Sequence, residues 1–153
     1  MLNEDYRDIL LALLEEKTKF LLVGAYAMAI HGYPRTTLDI DLWVMPSPNN
    51  AEAVLRALRR YGASLQGLTK EDLEEEGTVF QIGVAPRRID IITTANGLPF
   101  DAAYERSLPV KINGIEVRIP SIDDLIHNKK ATGRTKDLAD VEALESLKKN
   151  QNR

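Results

Sequence analysis

No cysteine occurs among the 153 residues, which excludes a disulfide framework, a thiolate zinc site, an iron–sulfur cluster and a cysteine nucleophile. Histidine is nearly as scarce, at two residues, so any metal would be held mainly by oxygen. No apolar run approaches the roughly 18 residues needed to cross a bilayer. The opening Met1-Leu2-Asn3-Glu4-Asp5 is acidic where a signal peptide would be basic, so the expectation is a soluble, cytoplasmic protein with no membrane partner. An excess of basic charge is missing as well. Lys and Arg number 20 against 23 Asp and Glu, and a net charge of −3 argues against bulk binding of duplex DNA while leaving room for a local basic patch. Repeats, low-complexity tracts and long linkers are absent too. What is present, 44% hydrophobic and 28% charged residues, suffices for the core of one domain. That domain is expected to span residues 1–153, with a core over about 18–119 and C-terminal helices over about 121–150.

Asn3 is placed to cap a helix that carries Tyr6, Ile9, Leu10, Leu13 and Leu14 on one face. Phe20–Val23 fits a buried strand, Gly24 a turn, and Ala25–Ile30 a helix ended by Gly32, Tyr33 and Pro34. From Leu38 to Val44, apolar Leu38, Ile40, Leu42 and Val44 alternate with Asp39, Asp41 and Trp43, which predicts a strand with one acidic face. Turn residues 46–50 lead into a helix through Val54, Leu55, Leu58 and Tyr61 that stops at Gly62. Thr69 and Asp72 form a capping-box pattern, and the acidic run 71–76 reads most simply as a solvated face. Val79–Val84 and Ile89–Thr93 predict an antiparallel hairpin across Ala85-Pro86-Arg87; Val110–Ile112 and Ile115–Ile119 predict another at Asn113-Gly114. Ser121 with Asp124 repeats the box pattern, and a last helix after Thr135 carries Leu138, Val141, Leu144 and Leu147. The fold class is thus α/β (α+β), a mixed β-sheet with helices packed on it and a C-terminal helical segment.

Asp39 and Asp41, two apart in a strand, project from the same face about 7 Å apart. Two like charges beside a buried strand are costly unless a cation sits there, and Mg²⁺ is the simplest candidate; the alternative is a solvated sheet edge. Gly24 lies where a strand ends and a helix begins, a place whose free N–H groups accept phosphate, although a lone glycine also suits a plain turn. Asp90 is again an acid among apolar strand residues, in a segment that could run beside the first acidic strand. Three carboxylates, two metal ions and a triphosphate are the requirements of in-line nucleotidyl transfer, in which one acid takes the proton from the attacking hydroxyl. Arg35, just before the acidic strand, is a phosphate candidate. His127–Lys136 reads as a basic loop with Lys129, Lys130, Arg134 and Lys136 and no acid, able to hold a triphosphate or a nucleic-acid backbone, or simply solvated. His31 reads as a packed, hydrogen-bonded residue. Trp43 shares the side of the two aspartates, where it could stack on a base or lie half-covered at the sheet edge.

The stretch Gly24-Ala25-Tyr26-Ala27-Met28-Ala29-Ile30-His31-Gly32-Tyr33-Pro34-Arg35-Thr36-Thr37-Leu38-Asp39-Ile40-Asp41-Leu42 resembles the signature of the DNA polymerase β-like nucleotidyltransferase superfamily. With the downstream run from Ile122 to Asp140, it resembles a small prokaryotic branch related to abortive-infection-type nucleotidyltransferase toxins, over roughly residues 18–144. The resemblance implies that Asp39, Asp41 and Asp90 are catalytic metal ligands for two Mg²⁺ ions, with Mn²⁺ an alternative. It implies nucleotide binding by Gly24, Ala25, Arg35, Thr37, Lys129 and Lys136, with Asp137 an orienting partner. The implied reaction passes NMP from an NTP to a hydroxyl on RNA, such as tRNA, or on protein, with release of pyrophosphate. An antitoxin-like protein partner goes with the toxin reading. Ala25 departs from the pattern, since many active members carry Ser or a second Gly there. The rival reading is a non-catalytic nucleotide- or partner-binding module on the same fold.

Overall fold

The computed structural model describes residues 2–33, 39–84 and 87–151, the side chain of Lys136 excepted. Among these, α1 (Glu4–Glu15), β1 (Phe20–Val23), α2 (Gly24–Ile30), β2 (Asp39–Val44), α3 (Pro48–Tyr61) and α4 (Lys70–Glu74) come first. They are followed by β3 (Val79–Ile82), β4 (Arg88–Ile92), α5 (Phe100–Glu105), β5 (Leu108–Ile112), β6 (Ile115–Ile119), α6 (Ile122–Thr132) and α7 (Thr135–Gln151). Pro34, Leu38, and the hairpin joint at Ala85 and Pro86 lie outside the described residues.

Four strands form one mixed sheet in the order β1-β2-β4-β3. β2 runs antiparallel to β1 and parallel to β4, while β3 returns antiparallel along β4. The alternation read from the sequence sorts the two faces. Ile40, Leu42, Val44, Ile89 and Ile91 enter the main core with Ile9, Leu10 and Leu13 of α1 and Val54 and Leu58 of α3. Each fully buried Leu or Ile there contributes roughly 1.5–3 kcal/mol of burial free energy. The opposite face bears Asp39, Asp41, Trp43, Asp90 and Ile92, and α5 covers part of it through a second cluster of Leu21, Trp43, Phe100 and Ala103.

Local caps follow the sequence signals in most places. Asn3 accepts from the Tyr6 N–H, Ser47 from Asn50, and Thr69 and Asp72 close a reciprocal box. At α6 the box is only half made. The Ser121 hydroxyl accepts from the Asp124 N–H, but the Asp124 carboxylate is drawn off to Arg106 in a two-pronged pair at 3.0 and 2.9 Å. A charge-assisted fork outcompetes a single capping bond. Two apolar positions differ from expectation: Leu14 (37% exposed) and Leu138 (55%) face outward at the ends of their stripes. The second hairpin forms its own two-stranded sheet, β5-β6.

Candidate active site

The site begins with register. Parallel pairing sets Asp39 opposite Arg88 and Asp41 opposite Asp90, so three acids and one guanidinium occupy a two-by-two array on a single face. Antiparallel pairing on the other side sets Val23 opposite Asp41, which brings the β1–α2 turn against the same carboxylate. Gly24, at φ +71°, fills that turn, and a Cβ there would lie well inside contact distance of Asp41 Oδ2. Only glycine allows both the backbone angle and the approach.

The electrostatics follow from this crowding. Burial, then the neighbouring charge of Asp90, a hydrogen bond with it, and the charge of Asp39 push the Asp41 carboxyl up to about 6, against a smaller opposing pull from Arg88. Arg88 clasps the other two acids: Nε lies 2.9 Å from Asp90 Oδ1, and Nη2 lies 3.2 Å from Asp39 Oδ2 and 3.3 Å from Asp90 Oδ2. The Tyr6 hydroxyl donates to the Arg88 carbonyl at 3.2 Å. Burial, followed by the charges of Tyr26 and Asp39, pushes that phenol up to about 12, so it remains a donor.

Beside the array is a cleft of about 280 Å³. Gly24, Asp41 and Trp43 form one wall, and Lys129, Thr132 and Arg134 the other. The region read as a basic loop is mostly helical: Lys129 and Lys130 belong to α6, Gly133 and Arg134 make the turn, and Lys136 lies in the first turn of α7. Asp137, 1% exposed, organises the cationic wall. Its Oδ2 accepts from the Thr132 hydroxyl at 2.6 Å and from Arg134 Nε at 2.7 Å, and Lys129 Nζ lies 3.4 Å from its Oδ1 and 3.2 Å from Asp140 Oδ2. Burial alone would raise the Asp137 pKa, but the hydrogen bonds from Thr132 and Arg134 and the nearby cations outweigh it and hold the carboxyl well below its usual range. Lys130 is instead an exposed partner of Glu145 at 3.0 Å. The third side of the cleft is the segment after β4. Asn128 Nδ2 donates to the Asn96 carbonyl at 2.9 Å, and Gly97, at φ +79°, lies so close to α6 that a Cβ would come within 2.8 Å of the Ala131 methyl.

Several of the roles expected from the sequence change with these positions. Asp39, Asp41 and Asp90 do share one face, and Gly24 and Lys129 reach the cleft that Asp41 lines. Ala25 packs against the main core. Arg35 and Thr37 lie outside the described residues, as does the Lys136 side chain. Trp43 is neither half-covered nor free to stack: at 1% exposure it is locked edge-to-face with Phe100, ring centroids 5.1 Å apart, and its Nε1 finds no hydrogen-bond partner among the described residues. His31 behaves as expected, bonded at 2.8 Å to the Pro120 carbonyl. Arg88 and Thr132 received no role from sequence reasoning. For Arg88 the signal was available, because it stands two residues before Asp90 and so on the same strand face.

The chain matches a family described as nucleotidyltransferase of unknown function (DUF6036) over residues 2–150. It belongs to that family. No curated protein sequence matches. Among solved structures, the family member resembles a Thermotoga maritima protein provisionally named a nucleotidyltransferase, with 16% identity, TM-score 0.57, and coverage of 99% of this chain and 96% of that one. It also resembles ANT(2″)-Ia in complex with adenylyl-2″-tobramycin, with 18% identity, TM-score 0.54, and coverage of 93% and 91%. Both likenesses concern the fold, a mixed sheet with helices packed on it, which is the architecture expected from the sequence. No described helix is long and apolar enough to cross a membrane.

As a member of this family the protein is a nucleotidyltransferase, an enzyme whose substrates are an NTP and an acceptor. Enzymes of this kind generally use divalent metals. The donors here, carboxylates with no thiolate or imidazole beside them, have the chemistry of a hard-cation site, and the Gly24 cradle keeps Asp41 Oδ2 accessible. As the side chains stand, no three acidic or His side chains among the described residues are grouped to hold an ion, and Arg88 is paired with both Asp39 and Asp90.

Proposed function

We propose that the cleft binds an NTP with its triphosphate between the Gly24 turn and the Lys129–Arg134 wall, and that NMP passes to a hydroxyl acceptor at the Asp39–Asp41–Asp90 array. The observation that supports this most is the placement of three carboxylates on one face of two paired strands, with Asp41 against the turn that begins α2 and across the cleft from Lys129 and Arg134. The acceptor oxygen attacks the α-phosphorus while Asp90 takes the hydroxyl proton; the bond from the α-phosphorus to the bridging oxygen breaks, and pyrophosphate leaves with that electron pair. Asp39, Asp41 and Asp90 would hold Mg²⁺ or Mn²⁺, which would supply positive charge to offset the negative charge that builds up during transfer. Lys129 and Arg134, oriented by Asp137, bind phosphate oxygens, and the Gly24 turn lets phosphate approach the backbone.

The acceptor is assigned by class. The toxin-like resemblance favours RNA or protein, and the ANT(2″)-Ia complex adds a small-molecule hydroxyl to be tried.

The deciding experiment measures binding of ATP, GTP, CTP and UTP, with and without Mg²⁺, to the wild type and to an Asp39→Asn, Asp41→Asn double variant. The expected result is Mg²⁺-dependent binding of at least one nucleotide to the wild type alone. Binding by neither protein, or equally by both, would overturn the site. Binding with no turnover across RNA, protein and small-molecule acceptors would instead mark the non-catalytic module that Ala25 brings to mind.

A second expectation concerns Asp137. Asp137→Asn keeps the shape but removes the charge that aligns Lys129 and Arg134. Nucleotide KM should rise roughly tenfold, about 1.4 kcal/mol, with kcat nearly unchanged, as expected for lost binding common to ground and transition states. Steady-state kinetics with the identified nucleotide check it, and a fall confined to kcat would contradict the assignment.

A further inference from the structure

The geometry points to Arg88 as a built-in counter-ion of the carboxylate array, one that holds the place of a divalent cation and must be displaced for the cation to bind. This rests on the metal-site reading above and adds a residue to it. Three acids on one sheet face repel one another, and the usual remedies are protonation, a metal or a cation of the chain's own. Arg88 supplies the last. It is the fourth corner of the array, opposite Asp39 and two residues from Asp90, and its planar fork reaches both carboxylates at once, at 3.2 and 2.9 Å.

Two further observations fit displacement. Arg88 engages Asp39 Oδ2 and both oxygens of Asp90, so a hard cation bound through any of these competes with the guanidinium. The Arg88 side chain is also 33% exposed while its backbone carbonyl is anchored by the buried Tyr6 hydroxyl. The guanidinium can therefore swing into water without disturbing β4. Metal affinity is then a difference between two occupants of one site, and the chain itself lowers it.

Mn²⁺ binding, followed by the loss of the free-ion electron paramagnetic resonance signal, tests this in the wild type, Arg88→Gln and Arg88→Lys. Arg88→Gln should bind Mn²⁺ roughly tenfold tighter, as when the guanidinium leaves the acids open in only about a tenth of wild-type molecules. Arg88→Lys, whose single ammonium cannot span both acids, should fall between. A second readout needs no metal. In EDTA at pH 8, Arg88→Gln should melt several degrees below the wild type, and adding Asp39→Asn should restore part of the loss. Equal or weaker Mn²⁺ binding by Arg88→Gln overturns the counter-ion role and leaves the metal site standing. Mn²⁺ binding by none of the three overturns both. Should Arg88→Gln fail to fold, Arg88→Lys carries the same comparison.

Discussion

Asp41→Asn is expected to reduce nucleotidyl transfer roughly a thousandfold, about 4 kcal/mol of transition-state stabilisation, and at the same time to make the metal-free protein more stable at pH 8. The two effects share one cause. Asp41 is held where its charged form is disfavoured, so its carboxyl titrates at about 6 rather than 3.8. Between those values the folded chain binds more protons than the unfolded one, and stability falls as pH rises through that window. At about 1.4 kcal/mol per pH unit the accumulated cost is of order 2–3 kcal/mol above pH 6. Asn removes the cost, and at pH 4 most of the advantage is gone, because Asp41 is neutral in the folded chain and only about half ionised in the unfolded one. Thermal melts in EDTA at pH 4 and pH 8 check this. A variant that melts below the wild type at pH 8 would contradict it.

Gly24→Ala should be nearly as damaging by a different route. The backbone angle of +71° alone costs an alanine of order 1 kcal/mol. The added methyl meets Asp41 Oδ2, and relief comes only if the short Asp41 side chain turns away from Asp39 and Asp90. Stability should therefore drop by about 1–2 kcal/mol, while activity falls roughly a hundredfold because the carboxylate is misplaced. Denaturant unfolding paired with turnover separates the two. An unfolding loss with full activity would mean that Asp41 tolerates displacement and is no ligand.

The carboxylate array was legible in the sequence because strand alternation is a strict rule: Asp39, Asp41 and Asp90 each interrupt apolar residues that must face the core. Which strands lie side by side is a long-range fact, and only the parallel pairing of β2 with β4 puts Asp41 opposite Asp90. The misreading of Trp43 has a local origin. α5 is six residues long and follows Pro99, which offers no side-chain cap, so neither periodicity nor capping revealed the Phe100 that seals the indole. The basic segment read as a loop because Asn128-Lys129-Lys130-Ala131-Thr132 carries no apolar stripe. It is helical because Ile122, Leu125 and Ile126 anchor the preceding turns. The roles of Asp137 were implied by resemblance, but its bonds to Thr132 and Arg134 required the α6–α7 turn to be closed.

The two walls of the cleft come from separate stretches of the chain, the acids from residues 39–90 and the cations from residues 129–134. A chain emerging from the ribosome therefore completes the negative wall while the segment that answers it is still unmade or enclosed. On the proposed reading bound nucleotide needs both walls, so acids and cations answer one another only once α6 has been made and packed beside the sheet.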